Sequence, residues 1–426
     1  MDNEPTSTAA TPAGLLDPAT LDDPFAYYRH MHTDCPVDHI ADIGLYVVAP
    51  YDELQRLLRD PKTFSSAAAA ALATTDAERA AARKRVLEER GWVTPSVLQA
   101  ADPPAHTRHR KLVSRAFTPR QVQNLVPRIE QIVDELLDRV IARGEMEFVT
   151  EFAEPLPSIL ICELYGLPSS EYPTFRRWAE ATIAGSQRRL TVEETIEVAE
   201  TIAESQHHLV REFERRREHP TDDLISTLVH AHEDPDDPDE PFTVPELLGL
   251  MALLVAGGLE TTTSALGTAM WLLLRYPDQM AKLKADPSLT ANFVEESLRF
   301  DSPVAGLWRR TTCPVEVAGT HLPADAAVMP RFAAANRDPA VFTEPDVFDI
   351  ERPNANQHVA FGLGPHYCIG ASLARAQLNA AFNAILTRLD DIRLAEPLDE
   401  QPHQPSFFLR PLKRLPIVFR TAGGAV

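Results

Sequence analysis

The chain has 426 residues, of which 44% are hydrophobic and 24% charged, enough apolar content for a substantial core and too much for a disordered chain. A formal net charge of -21 excludes general affinity for nucleic acid or an anionic membrane, which would repel it on average. Cys35, Cys162, Cys313 and Cys368 lie far apart without a Cys-x-x-Cys pair, which speaks against a disulfide scaffold or zinc ribbon and for a reducing cytoplasm.

The opening "MDNEPTSTAATPAG" is polar, with no basic segment followed by an apolar one, and reads as a disordered tail over residues 1–15 rather than a signal peptide. No Gly/Ser linker divides the remainder, so residues 16–426 are expected to form one domain. From Asp23 a short helical pattern leads into "PVDHI" and "LYVVA", a small hairpin, then a helix over Tyr51 to Arg59 and an Ala-rich stretch ending near "ERGWVTP". "DPPAHTRHRKLVSRAFTPRQV" carries Arg108, Arg110, Lys111, Arg115 and Arg120 with no acid between Ala105 and Val122, a basic island in an acidic protein. Helical spacing continues through Ile129 to Leu137, Phe148 to Leu164 and after Thr191, until the acidic, Pro-rich "HEDPDDPDEPFT" interrupts it as a loop.

"LLGLMALLVAGGLETTTSALGTAMWLLL", Leu247 to Leu274, is long enough to cross a bilayer. Glu260 in its middle would cost at least about 2.5 kcal/mol there, so a core helix wrapped by others is the better reading. Gly257 and Gly258 each weaken a helix by roughly 1 kcal/mol relative to alanine, tolerable if something large and flat lies against the backbone. Glu260 and Thr261 follow, an acid beside an alcohol, where a local distortion would free carbonyls to hold water. The alternative is a threonine bonded back to its own helix, and this segment alone does not decide between them. "VEVAGTHLPADAAVM" alternates and turns like a hairpin near residues 315 to 329, and "FFLRPLKRLPIVF" adds late strands to a helix-dominated chain.

Between them lies "FGLGPHYCIG". The following "ASLARAQLNAAF" is helical, so the Cys368 sulfur sits at a helix N-terminus, where exposed N–H groups favour a thiolate. Gly362, Gly364 and Gly370 permit turns other residues resist. A lone thiolate does not suit structural zinc or an iron–sulfur cluster, whereas one axial sulfur on a haem iron needs one cysteine. Most free cysteines are merely buried, but Phe-x-x-Gly-x-x-x-Cys-x-Gly arises by accident in a chain this long only about once in a thousand.

This segment resembles the haem-ligand signature of the cytochrome P-450 superfamily, of the soluble bacterial kind, with Cys368 in the ligand's place and Phe361, Gly362 and Gly370 as its companions. The resemblance runs from about residue 16 to 419 and implies a mainly α (α+β) fold, helix-rich with small sheets, with haem b between the long central helix and the cysteine loop. "EESLR" supplies the family's Glu-x-x-Arg as Glu296 and Arg299. Glu212/Arg215 and Glu214/Arg217 match that motif too, and only order and spacing select Glu296. "FDIERP" places Arg352 as the third member of a buried charge network. "AGGLETT" resembles the oxygen-activation segment, with Glu260 and Thr261 in the acid–alcohol roles and both glycines facing haem. "HTRHR" resembles the propionate-binding helix, so His106 and Arg110 would meet haem carboxylates together with His366 and Arg309, the last favoured over Arg310 by its spacing to "VEV". "AANRDP" also matches, while Pro314 and Asp325 replace the family's usual aspartate and glycine near the hairpin.

The resemblance implies a monooxygenase placing one oxygen atom from O2 on a small organic substrate. Electrons would come from NAD(P)H through a ferredoxin reductase and a ferredoxin, for which Arg108, Lys111 and Arg115 offer a landing face on a monomer. Segments that line the family's pocket contribute Trp92, Val97, Val304, Leu307, Phe407 and Phe408, all apolar, so a hydrophobic substrate is expected. A peroxide-driven peroxygenase and a non-enzymatic haem-thiolate sensor or carrier are the competing readings.

Overall fold

A computed structural model describes residues 13–67, 77–187, 190–231, 240–397, 403–404 and 406–423. Most of the expected tail and of the acidic loop therefore lies outside the described residues. The tail expectation fails at its end: Leu15 is 1% exposed and packs with Tyr27, Tyr28 and Met329, and the helix Pro18–Asp22 follows, capped by Asp17.

The central helix, Val244–Arg275, organises the molecule. Thr243 caps it reciprocally: its hydroxyl accepts from the Glu246 amide, and the Glu246 carboxylate accepts from the Thr243 amide at 2.8 Å. The helix meets bilayer criteria of length and hydropathy, yet its Leu247, Met251, Val255 and Leu259 belong to one buried apolar cluster and its Leu266, Met270 and Leu273 to another. It is a core helix, as its all-round apolar surface implies.

Against it lie Pro155–Leu164, Tyr172–Gln187, Val192–Glu218, Thr290–Phe300 and Ala371–Arg388. The expected hairpin forms from Val37–Ile40 and Leu45–Val48 and joins a five-stranded sheet with Ala327–Pro330, Arg309–Thr311 and Phe64–Ser65. Only Leu45–Val48 and Ala327–Pro330 run parallel in it. Glu145–Glu147, Pro416–Thr421 and Leu389–Leu394 form a three-stranded sheet, and Val315–Val317 pairs with Thr320–Leu322. Near this last hairpin Asp325 adopts φ 65, the left-handed region where glycine is favoured, and its carboxylate lies 3.0 Å from Arg310.

Candidate active site

The cysteine loop is shaped by two left-handed glycines, Gly362 at φ 69 and Gly364 at φ 67. A Cβ on Gly364 would lie 2.6 Å from the Leu58 carbonyl oxygen, so the loop is pressed against backbone there. The Cys368 amide donates to the Phe361 carbonyl at 2.9 Å, and the helix Ala371–Arg388 begins just after, with Gly370 at its N-cap. Cys368 faces open space while the protein encloses it from behind. Burial pushes its thiol pKa up, opposed by the Gly370 amide, by the Arg110 and Arg375 guanidiniums and by the Ala371 amide. The amides at the helix terminus favour the thiolate, as expected, but in the protein by itself desolvation outweighs them.

Beside the loop, cationic side chains converge. The His106 and His366 rings lie 4.1 Å apart, and His366 Nε2 is 3.2 Å from the Ser66 hydroxyl. Arg110 donates to the Tyr367 carbonyl at 2.5 Å. Arg309, 4% exposed, donates to the Trp308 carbonyl, and burial lowers its pKa to about 10, with Asp102 opposing. Asp102 is already engaged, accepting from the Ser65 hydroxyl at 2.5 Å and the Ser66 amide at 2.8 Å. His106 is 3% exposed and its Nε2 has no partner among the described residues. Arg310 instead points outward to Asp325, so Arg309 is the arginine turned into this cluster. Asp102 and Ser66 were not singled out in the sequence, although Asp102 stands in the same "DPPAHTRHR" stretch.

On the central helix the Thr261 hydroxyl donates to the Gly257 carbonyl at 2.6 Å, the back-bonded alternative, and the helix runs unbroken through Glu260, which is half-buried. The distortion expected there is absent. The glycines also part ways: a Cβ on Gly257 meets nothing within 4 Å, whereas one on Gly258 would lie 2.5 Å from Ile161 Cδ1. Gly257 borders open space, and Gly258 lets the helix Pro155–Leu164 approach, correcting the expectation that both face one ligand. Ile369, next to Cys368, packs on the apolar cluster that contains Val255 and Leu259, tying the loop to this helix.

Behind the loop the Glu296 network is complete. Glu296 and Arg299, each 0% exposed, pair at 2.6 and 2.8 Å, and Arg352 Nε reaches Glu296 at 3.2 Å. The remaining arginine N–H groups donate to the carbonyls of Asn336, Pro345, Val347, Thr343 and Glu344, as a buried charge cluster demands.

The apolar pocket candidates divide. Trp92 is half-buried, edge-on to His207, with its backbone N–H and C=O both bonded to the Gln206 amide. Val304 bridges to Leu409, and the Phe408 carbonyl accepts from Ala305. Val97 packs 3.4 Å from where a Gly249 Cβ would stand. Leu307 packs with Tyr46 and Val315 on the apolar cluster over the sheet, and Phe407 lies against Trp308 and under the Arg331 guanidinium. Leu307 and Phe407 are half-buried against apolar clusters and Val97 is a buried member of another, contacts the sequence does not display.

The basic island is corrected too. Arg108 pairs with Glu246 at 2.7 Å, bonds the carbonyls of Glu240 and Pro241 and covers the Phe242 ring, while Arg115 donates to the Ala231 carbonyl. Although burial raises the Glu246 pKa, hydrogen bonds from Arg108 and Thr243 hold it down at about 2. Arg108 and Arg115 are therefore structural anchors rather than an outward face.

The Cytochrome P450 family model matches residues 190–417. Cytochrome P450 107B1 of Saccharopolyspora erythraea is 37% identical over 420 residues, covering 96% of this chain and 99% of that one. Cytochrome P450 monooxygenase PikC of Streptomyces venezuelae is 34% identical over 423 residues, covering 97% and 96%. Among solved structures, cytochrome P450 CYP109Q5 from Chondromyces apiculatus superposes with a TM-score of 0.84 at 33% identity, over 96% of this chain and 98% of that one. With the small sheets, the wrapped central helix and the cysteine loop in place, these matches are decisive: the chain belongs to the cytochrome P450 superfamily, as a bacterial-type monooxygenase whose cofactor is haem b.

Proposed function

We propose that this protein places one oxygen atom of O2 on a largely hydrophobic small molecule, with Cys368 as the axial ligand of haem iron, working as one cytoplasmic, monomeric catalytic unit that includes Leu15. The observation that carries the reading is the convergence on one loop of a sulfur facing open space and four basic groups, His106, Arg110, Arg309 and His366. The donor set fits the group. Among the described residues Arg309 is buried with no carboxylate paired to it, and the His106 Nε2 without a partner there can meet a haem propionate. The open side of Gly257 admits a flat ligand to the helix backbone. Haem, when bound, supplies the redox chemistry that activates dioxygen.

The chain's own residues orient and protonate. The N–H groups of Gly370 and Ala371 stabilise negative charge on the Cys368 sulfur. The Thr261 hydroxyl, its proton committed to the Gly257 carbonyl, presents lone pairs on Oγ and so anchors a water as acceptor. Glu260, one residue away, is the acid that renews the proton on that water. With Arg108 turned inward, an acidic ferredoxin would meet the face formed by exposed Lys111 and Tyr367, beside Arg110. NAD(P)H would reach it through a ferredoxin reductase.

The test combines isotopically labelled dioxygen, NADPH, a ferredoxin reductase, a ferredoxin and a compound chosen because it shifts the ferric Soret band. One labelled oxygen per product, dependent on the ferredoxin, supports the reading. Product oxygen drawn from water, or equal turnover with hydrogen peroxide alone, contradicts it.

A further inference from the structure

Two acids stand side by side on the helix Thr290–Phe300 and turn to different partners. Glu296 holds Arg299 and Arg352. Glu295 holds an arginine of the helix that follows the cysteine loop. Its carboxylate accepts from Arg375 Nε at 2.6 Å and from Arg375 Nη2 at 2.7 Å, a two-pronged pair between Thr290–Phe300 and Ala371–Arg388. The His358 ring completes the set. Its Nδ1 accepts from the Ala360 amide at 3.1 Å, so the ring proton sits on Nε2, 3.2 Å from Glu295 Oε2. Burial raises the Glu295 pKa, but hydrogen bonds from Arg375 and His358 hold it down at about 2, and burial lowers the pKa of His358. At physiological pH the hub is thus one carboxylate, one guanidinium and one neutral imidazole.

The same arginine reaches the cysteine loop. Helical side chains lean toward the N-terminus of their helix, so Arg375 lies back toward the turn that carries Cys368. Its Nη1 donates to the Tyr367 hydroxyl at 3.2 Å, and its guanidinium lies 4.5 Å from the centre of the Phe361 ring. Tyr367 immediately precedes Cys368, and the Phe361 carbonyl accepts from the Cys368 amide at 2.9 Å. Arg375 therefore rests on the two residues that hold the cysteine backbone, and its charge favours the thiolate against burial. Glu295 fixes that guanidinium in place and sets a negative charge against it.

We propose that Glu295 is a positioning residue that sets the reduction potential of a haem-thiolate at Cys368 by holding and neutralising Arg375. The inference rests on the haem-thiolate reading. A guanidinium standing alone beside the loop favours the more negative oxidation state, the reduced one, whereas paired with a carboxylate at contact distance it leaves only a small field at the sulfur. Removing either partner uncovers the charge of the other, so the two losses move the potential in opposite directions. A clamp with only a structural role would be loosened alike by both losses and would move the potential one way.

The test is a dye-mediated reductive titration of the purified holoprotein, native and as Glu295→Gln, Arg375→Gln and the double variant, with the reduced carbon monoxide spectrum recorded on each preparation. At the native midpoint potential, Glu295→Gln should raise the ferrous-to-ferric ratio by about threefold or more, and Arg375→Gln should lower it by a similar factor. The double variant, with neither charge, should return to within about twofold of the native ratio. The milder Glu295→Asp keeps the charge but draws it back from Arg375. It should shift the ratio in the same sense as Glu295→Gln by less, and it carries the test should Glu295→Gln take up too little haem. Shifts of one sign in both the glutamate and the arginine variants, or no shift in either, overturn the proposal while the thiolate-type band stands. A native preparation without that band removes the haem-thiolate reading, and the proposal with it, so the two failures are told apart.

Discussion

The hydroxyl of Thr261 donates to the carbonyl of Gly257 at 2.6 Å, four residues back along an unbroken helix. That bond leaves the threonine oxygen as an acceptor, and an acceptor beside a half-buried acid can hold water in one place.

Replacing Thr261 by alanine removes the anchor but not the helix, since alanine is the better helix former. Ligand affinity and thermal midpoint should hold, while product formed per NADPH falls by about tenfold or more and peroxide accumulates. Thr261→Ser should keep most of the coupling. Unchanged coupling in Thr261→Ala would take this residue out of the mechanism.

The two glycines should answer differently to an added methyl group. Gly257→Ala meets no atom within 4 Å, so the haem-free protein should gain about 1 kcal/mol from helix propensity in a denaturant titration. Haem content should drop, because the methyl lies on the side open to the ligand. Gly258→Ala pushes on Ile161, whose Cδ1 stands 2.5 Å away, so its gain should be smaller or reversed. Equal behaviour of the two variants would contradict the assignment of their faces.

The docking face is separable from the structural arginines by salt. Arg108→Ala breaks a half-buried pair with Glu246 and should lower stability by about 1 kcal/mol, with little effect on how salt alters reduction by a ferredoxin. Lys111→Glu should slow that reduction several-fold at low ionic strength and much less at high. Reduction kinetics insensitive to Lys111→Glu at every ionic strength would move the face elsewhere.

Much of the site could be read before any coordinates. Turn geometry points to Gly362 and Gly364 directly, whereas His106, Arg309 and the Glu296 network are legible only through the family resemblance. What stayed hidden depends on distant neighbours. Arg108 looks like a surface cation until Glu246 arrives from 138 residues away. Gly258 gives no sign of Ile161.

Stability should fall with acid through His403, which is 2% exposed. Burial lowers its pKa to about 4, helped by Arg410 and opposed by Asp301, whose carboxylate lies 3.6 Å from the His403 ring and 3.2 Å from Arg410. Between the ordinary histidine value of 6.5 and about 4 the unfolded chain binds the extra proton, so the contribution is complete above that window and lost as pH falls through it. Denaturant midpoints should decline across this range, and His403→Gln should flatten the decline. An unaltered slope in that variant would assign the acid sensitivity to other groups.

The most direct measurement is the absorption spectrum of the reduced protein under carbon monoxide, for the native chain and for Cys368→Ala. A thiolate-type Soret band in the first and its loss in the second is the expected pair. A native protein that takes up no haem, or a Cys368→Ala protein that keeps the thiolate band, would contradict the account.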